Sequence, residues 1–239
     1  MVWADNFHEA VLQTFRSRTN PPELLPTVLS QAVVAVLPVD GAGISMTDEL
    51  RVPLGSSDAF AARAERLQTT LGQGPCLSAA EDARPVVADL VTMERRWPLF
   101  HRQLSVQTPY RSVASLPLQL EGGRVLGALD LYATTGETLA PELVDEVGRE
   151  LAEVIAAMVF GAPSGSTGAF APPLWLGADS VVDRMNVWVA VGMLQEETPL
   201  DNAAALAALR AYAGHHRATL DDVAADLTSG ELLVETVLR

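Results

Sequence analysis

Apolar positions recur at two different spacings along the chain, and the change of spacing separates predicted helices from predicted strands. Phe7, Val11 and Phe15 recur every four residues, which predicts a helix over about residues 3–18. A broad apolar face predicts a second helix over residues 23–37. The chain therefore begins with two amphipathic helices separated by a proline-containing turn.

The middle of the chain changes to short apolar runs bounded by turn residues, which is typical of strands. The strands are predicted, in chain order, over residues 41–47, 51–55, 85–89, 111–119 and 124–132. The helices around them are predicted over residues 58–71, a short segment opened by Gly74-Pro75, 93–106 and 141–160. This order predicts an α+β fold in which an antiparallel sheet is flanked by helices.

Three further helices are predicted near the C-terminus, over residues 181–197, 200–214 and 220–227. Two apolar stripes at helical spacing run along the first of them, namely Val181, Met185, Trp188 and Gly192, and Val182, Val189 and Met193. Thr198 before Pro199 predicts the start of the second helix, and Thr219 three residues before Asp222 predicts the start of the third. Gly230 is placed to end it.

Residues 161–180 are rich in Gly, Ala, Pro and Ser, which indicates a linker. The apolar run Pro172–Leu176 within it predicts contact with a domain surface. We therefore expect an N-terminal domain over residues 1–160 and a small helical domain over residues 181–239.

Composition and charge narrow the possible functions. All 16 basic residues are arginine, and the single cysteine, Cys76, excludes an intramolecular disulfide. The net charge is −14, and the part after Phe160 has 4 arginines against 10 acidic residues, which argues against strong nonspecific binding to phosphates. The sequence contains neither a basic signal peptide nor an apolar run long enough to span a bilayer, so we expect a cytoplasmic protein.

Cys76 and His101 are the two candidates for redox or metal chemistry. Cys76 follows Gly-Pro at a predicted helix N-terminus, where a thiolate would be favoured, and one interpretation is a redox role. The plainer interpretation is a small buried residue. His101 has no second ligand at metal spacing. No catalytic arrangement appears at a convincing spacing, so we expect no metal, no catalytic cofactor and no enzyme activity.

The segments 72–77, 112–118 and 126–132 resemble those of a GAF domain, with Gly72-Gln73-Gly74-Pro75-Cys76-Leu77 among them. The resemblance covers about residues 20–160 and implies a sensor domain with a pocket on one face of the sheet. It does not identify the small-molecule ligand. We expect the pocket between the strands of residues 111–132 and the helices of residues 58–106, with these lining residues: Cys76, Trp97, Tyr110 and Tyr132.

The C-terminal segments resemble an ANTAR domain, a three-helix RNA-binding module of bacterial transcription antitermination regulators. The resemblance rests on Ala190-Val191-Gly192-Met193-Leu194, on residues 204–213 and on Leu220-Asp221-Asp222-Val223-Ala224. Many members of that family have a lysine where this chain has Val191. The RNA-binding residues that the resemblance and the scarce positive charge indicate are Ala190, Val191, Gly192, Arg210, His215, His216 and Arg217.

Several of these residues have a plainer interpretation. Arg210 would either bind RNA or form an ion pair with Asp221 or Asp222. His215 and His216 would either contact phosphates or lie solvated at a loop tip. Gly192 allows a close backbone approach, either of another helix or of RNA.

Together the two resemblances imply a signal-transduction regulator in which a GAF sensor controls the binding of an RNA stem-loop during transcription antitermination. The alternative is a sensor–adaptor whose C-terminal domain no longer binds RNA and mediates dimerisation or contact with another protein. The apolar stripe on residues 141–160 and the family resemblance also predict a homodimer.

Overall fold

The computed structural model describes residues 2–17, 24–47, 51–120, 123–137, 139–161, 175 and 179–238. The strands in these ranges are β1 Gly41–Met46, β2 Val52–Ser56, β3 Val86–Ala88, β4 Ser112–Gln119 and β5 Val125–Ala133. The helices around the sheet are α1 Val2–Ser17, α2 Leu25–Val36, α3 Ala59–Leu71, α4 Pro75–Asp82, α5 Leu90–Arg96, α6 Pro98–Gln107, α7 Pro141–Val147 and α8 Glu153–Phe160. The C-terminal helices are α9 Asp179–Glu197, α10 Asn202–His216, α11 Leu220–Ser229 and α12 Val234–Val237.

The strands form one antiparallel sheet in the order β2-β1-β5-β4-β3. Because side chains alternate between the faces of a strand, each strand contributes to two layers. Leu116 pairs with Leu129 on one face, and Ser115 pairs with Asp130 on the other. The first face packs on α1, α2, α7 and α8, and the second is covered by α3 to α6. The predicted α+β arrangement with an antiparallel sheet is confirmed.

The C-terminal helices have a hydrophobic core of their own, which includes Val187, Leu194, Leu209 and Leu227. We call α9 to α12 the C-terminal unit. It contacts the sheet-containing part of the chain through α3 and β2.

Helix α9 buries a different face from the one that its apolar stripes predict. Met185, Trp188 and Val189 are 59%, 38% and 54% exposed, whereas Ala190 and Val191 lie in the core of the C-terminal unit. Apolar residues occur on several sides of this helix, so spacing alone does not select the buried side. The stripes therefore indicate the helix but do not identify its buried side, on which Val181 is a stripe residue that is buried.

Two of the helix ends that the sequence predicts are found in the structure, and a third is not. Thr219 and Asp222 form a reciprocal capping box, and Gly230 ends α11 with a φ of 80°, as predicted. The second C-terminal helix, however, is capped by Asp201, whose carboxylate accepts from the Ala204 amide at 2.7 Å. The predicted start at Thr198 is wrong because Asp201 provides the capping oxygen three residues later.

Two long predicted helices are interrupted. Trp97, with φ −139° and ψ 68°, separates α5 from α6, and Pro98 opens α6. Residues Gly148–Ala152 form a π-helical segment between α7 and α8. Leu151, on the stripe that predicts a dimer, is fully buried against the sheet. That stripe is a core face, so the dimer prediction no longer rests on it.

The predicted linker lies mostly outside the described residues. Trp175 is described and is buried, and its indole nitrogen donates to the Val159 carbonyl at 2.8 Å. Its ring packs edge-on against Phe160. This contact agrees with the predicted docking of residues 172–176 on a domain surface.

Candidate functional site

A group of polar side chains lies buried between the sheet and α3. We call it the buried polar cluster, and it consists of Arg51, Glu65, Gln68, Ser115, Asp130 and Tyr132. Each of these residues is at most 2% exposed. Polar groups that are removed from water need partners, and here most of the partners come from the cluster itself.

Arg51 provides the positive charge of the cluster. Its Nη2 donates to Asp130 at 3.0 Å and forms a close ion pair with Glu65. Its Nη1 donates to the Glu65 carbonyl at 2.8 Å. One guanidinium therefore contacts two carboxylates, which leaves one negative charge in excess if both are ionised.

The remaining members connect the sheet to the helices. Gln68 donates from Nε2 to Asp130 at 2.7 Å and accepts from the Cys76 amide at 3.0 Å. The Tyr132 hydroxyl donates to Glu65 at 2.6 Å. The cluster thus joins β5 to α3 and to the start of α4.

Glycine 43 makes room for this arrangement. A side chain added at Gly43 would collide with the carboxyl group of Glu65, so a glycine at this position leaves the space that this buried group occupies. Burial raises the pKa of Glu65 to about 8, with Arg51 opposing the effect. A protonated Glu65 balances the charges, because Arg51 and Asp130 then form a neutral pair.

Cys76 lies in the same layer but does not have the environment of a reactive thiol. It is fully buried, and burial raises the pKa of its thiol well above the ordinary value, with Arg51 opposing. The redox interpretation required an exposed thiolate. The plainer interpretation, a small buried residue, agrees with this environment.

The residues predicted to line a ligand pocket lie in this layer, in contact with other side chains. Tyr110 stacks on Tyr132 with ring centroids 4.9 Å apart, and the Tyr110 hydroxyl donates to Asp58 at 3.2 Å. Trp97 is buried beneath the Arg96 guanidinium. In this conformation the buried polar cluster occupies the space beside them, and the assignment of a ligand to these residues stays a prediction.

The C-terminal end of α3 meets the C-terminal unit at Thr69, Thr70 and Gly72. The Leu220 amide at the start of α11 donates to Thr70 Oγ1 at 3.1 Å, and Arg210 Nε donates to the Thr69 carbonyl at 3.3 Å. The Arg210 guanidinium also packs on Gly72, where a Cβ would come within 3.0 Å of it. A cation at a helix C-terminus and an amide at a helix N-terminus are both stabilised by such partners.

Arg210 is therefore bound to α3, not to the acidic residues that the sequence offered as alternatives. Asp221 pairs with Arg184 at 2.9 Å, and Asp222 belongs to the capping box of Thr219. The predicted ion pair of Arg210 with Asp221 or Asp222 is wrong because both carboxylates have these closer partners. Arg210 is only partly exposed, and burial lowers its pKa.

The other predicted RNA-binding residues fall into two groups. Ala190 and Val191 are buried in the core of the C-terminal unit, so in this arrangement they cannot touch RNA. A buried position also suits valine better than a charged residue. The exposed group consists of Gly192, His215, His216 and Arg217. His216 stacks on Tyr212 at 4.1 Å between centroids.

Of the buried polar cluster, sequence reasoning identified only Tyr132, and it missed the other members and Arg184. The signal for Asp130 was present, since it is a single carboxylate within the apolar run 126–132. Arg51 follows a predicted turn and looked solvated. Arg184 is a charged residue on a predicted surface helix, where an arginine is normally exposed.

Two cavities stand out among the described residues. The larger, about 1170 Å³, is an open groove between β4 and the helical segment 145–157. The smaller, about 350 Å³, lies between β2 and α3 on one side and α9 and α11 on the other. The described residues include no helix that is long and apolar enough to cross a membrane.

The geometry defines an α+β domain with one antiparallel sheet, helical layers on both faces and a polar site beneath one of them. Residues 18–159, more than half of the chain, match the family model of the GAF domain. The chain therefore belongs to the GAF domain family, and a GAF domain supports a role in signalling. No curated protein sequence matches.

Several solved structures, two of them GAF domains, are similar to this chain at low sequence identity. The GAF domain of a phosphoenolpyruvate-protein phosphotransferase from Coxiella burnetii is 18% identical, with a TM-score of 0.47, covering 65% of this chain and 94% of that one. The corresponding Acinetobacter domain is 13% identical, with a TM-score of 0.48, covering 66% and 92%. Free methionine-R-sulfoxide reductase from Neisseria meningitidis is 15% identical, with a TM-score of 0.45, covering 65% and 89%.

Proposed function

We propose that this chain is a non-enzymatic signalling regulator in which the GAF domain controls RNA binding by the C-terminal unit, as in transcription antitermination. The observation that carries the proposal is the position of α3. Glu65 and Gln68 of this helix belong to the buried polar cluster, and Thr69 and Thr70 contact the C-terminal unit. One helix therefore links the sensing face of the GAF domain to the output helices.

In the arrangement described here, contacts with α3 hold the C-terminal unit in a state in which Arg210 is not available to RNA. Arg210, one of only a few cations after Phe160, is bound to the α3 carbonyl of Thr69. We infer that a ligand or a change of protonation at the buried polar cluster moves α3 and breaks this contact. Arg210 then becomes free to bind a phosphate or to stack on an unpaired base.

The RNA-binding surface in this proposal is the exposed group Gly192, His215, His216 and Arg217, which Arg210 joins on release. Gly192 has no neighbouring atom within 4 Å of the place where a side chain would be, so a backbone or a base can approach closely. The acidic character of this half of the chain limits nonspecific binding. Recognition would then depend on the shape of a loop more than on charge.

Binding of the full-length protein to tandem stem-loop RNAs across a salt series tests this function. Each phosphate contact contributes a slope of roughly −0.7 to −0.9 in log affinity against log salt. Arg217 has a φ of +57°, so Arg217→Gly removes a cation without straining the backbone. We expect this variant to reduce the slope by about one phosphate contact.

Arg63→Ala is the matched control, because Arg63 is an exposed arginine on α3 within the GAF domain. It should leave the slope unchanged. Absence of stem-loop binding in the parent protein at low salt would contradict the RNA-binding function.

A second candidate is supported by the exposed face of α9. Met185, Trp188 and Val189 lie close together on this helix, and all are more than a third exposed. Apolar surface of this kind marks contacts with other proteins. The alternative function is a sensor–adaptor in which this face binds a second copy of the chain and the C-terminal unit binds no RNA.

A further inference from the structure

The 350 Å³ cavity between the GAF domain and the C-terminal unit has the character of a binding site. On the GAF side it is lined by β2 and by the first turns of α3, and on the other side by Asp183, Arg184 and Asp221. Its size lies in the range of small-molecule sites. It is separate from the buried polar cluster, since none of the residues of that cluster line it.

Arg184 and Asp221 line this cavity as an ion pair. Arg184 is only 2% exposed, and its Nη2 donates to Asp221 Oδ2 at 2.9 Å. Its Nε and Nη1 have no hydrogen-bond partner among the described residues, and neither does the second oxygen of Asp221, Oδ1. Buried donors and acceptors without partners cost free energy, so a pair left this incomplete is exceptional.

The unpaired atoms indicate the chemistry of a ligand. Arg184 offers donors to an acceptor such as a carboxylate, and Asp221 offers an acceptor to a donor such as an ammonium group. The charged residues that line the cavity are Arg66, Arg184, Asp58, Asp183 and Asp221. Three carboxylates against two guanidinium groups disfavour a simple anion, and a molecule that carries both charges suits the site better.

Most of the uncharged lining is apolar and is suited to a short hydrocarbon side chain, and Thr27 and Ser56 add two hydroxyl groups. The apolar part includes Leu24, Pro53, Leu54, Ala59 and Ala62. We propose that this cavity binds a small α-amino acid as a zwitterion, with its carboxylate on Arg184 and its ammonium group on Asp221. The site goes beyond the proposed function and does not depend on RNA binding.

Isothermal titration calorimetry of the full-length protein with each protein-forming α-amino acid tests the proposal. We expect at least one amino acid with an apolar side chain to bind and to raise the Tm. The deaminated acid and the decarboxylated amine of that compound, such as 4-methylpentanoate and 3-methylbutylamine for leucine, should each bind at least about tenfold more weakly, because each leaves one buried charge unpaired.

A variant that fills the cavity locates the site without removing the ion pair. Ala62→Leu adds a larger side chain to the cavity wall, while Arg184 and Asp221 remain in place. It should abolish amino-acid binding while the protein still unfolds cooperatively. Ala207→Leu, at an exposed position on α10 outside the cavity, is the control and should bind like the parent.

The proposal is overturned if no amino acid binds at millimolar concentration. It is equally overturned if the acid alone binds as tightly as the amino acid, or if Ala62→Leu retains the affinity of the parent. Stem-loop binding by the same preparation is a separate measurement, so its outcome distinguishes failure of this site from failure of the RNA-binding function.

Discussion

Glu65 is the residue whose protonation decides the charge balance of the buried polar cluster. Arg51 contacts both Glu65 and Asp130, and all three side chains are almost completely buried. Since one cation cannot neutralise two carboxylates, protonation of Glu65 is the least costly way to avoid an excess buried charge. The pKa of Glu65 is about 8, because burial favours the neutral carboxyl group more strongly than Arg51 favours the carboxylate.

The first prediction follows from the sign of this shift. Because the pKa of Glu65 in the folded protein, about 8, is above its ordinary value of 4.5, the folded state binds the proton more tightly than the unfolded state. The stability contributed by this group is therefore complete below pH 4.5 and is lost as the pH rises through about 8. Urea denaturation across this window should show that Glu65→Gln has a flatter pH dependence than the parent.

Glu94→Gln serves as the control, since Glu94 is exposed on α5. It should retain the pH dependence of the parent. If Glu65→Gln loses stability with rising pH as steeply as the parent does, Glu65 is not the titrating group.

Cys76 gives the second prediction at the residue scale. The thiol is fully buried and its pKa is raised, so Cys76 should react with a thiol reagent only when the domain unfolds locally or globally and exposes the thiol. In a colorimetric assay with Ellman's reagent we expect slow reaction in buffer and complete reaction in urea. Rapid stoichiometric reaction of the folded protein would restore the redox interpretation.

At the scale of single elements, α3 is the helix on which the account depends. Its side chains enter the buried polar cluster from one side, and its last residues contact α10 and α11 from the other. Asp58 begins the helix by accepting from the amides of Phe60 and Ala61, and Gly72 ends it with a φ of +63°. Its ends are therefore fixed by local sequence, whereas its contacts are fixed by tertiary structure.

Thr70→Val is the third prediction. This nearly isosteric change removes the oxygen that accepts from the Leu220 amide, and an unpaired buried amide costs about 1–3 kcal/mol. We expect hydrogen exchange at the Leu220 amide to accelerate and the free energy of unfolding to fall by about 1 kcal/mol. Thr228→Val, on the exposed side of α11, is the control and should change neither quantity.

Helix α9 shows which structural features a pattern of apolar residues can predict and which it cannot. Spacing was sufficient to predict the helix, whose observed range Asp179–Glu197 differs from the predicted one by two residues at its start. The buried face was not predictable, because α10 and α11 decide which apolar residues they cover. Arg184 is buried for the same reason, since Asp221 on α11 provides its partner.

For the whole molecule, the sequence was sufficient to predict the sheet, the helical layers and the GAF domain, whereas the resemblance of the C-terminal unit to an ANTAR domain stays a prediction. The sequence was not sufficient for the buried polar cluster, because Arg51, Glu65 and Asp130 are far apart in the chain and only the folded sheet brings them together. The contact between α3 and the C-terminal unit was unpredictable for the same reason. The GAF domain and the C-terminal unit each contribute polar groups to this contact, and in the sequence of either part alone these groups would be expected to face solvent.

The fourth prediction concerns assembly. The expected homodimer now rests on the exposed face of Met185, Trp188 and Val189. Sedimentation should give a mass of about twice 25.4 kDa for the parent, and Trp188→Glu should give the single-chain mass because a charge would be buried in the interface. Val106→Glu, at an 80% exposed position on α6, should remain dimeric. A parent mass of 25.4 kDa at micromolar concentration would contradict the dimer.

The most direct test of control by the GAF domain is the stem-loop affinity of Thr70→Val, compared with the parent and with Thr228→Val. If α3 restrains the C-terminal unit, weakening the Thr70 contact releases Arg210 and raises affinity. A loss of about 1 kcal/mol from the restrained state corresponds to an increase of about fivefold. Unchanged or weaker binding by Thr70→Val, with Thr228→Val equal to the parent, would contradict the claim that the GAF domain restrains RNA binding by the C-terminal unit.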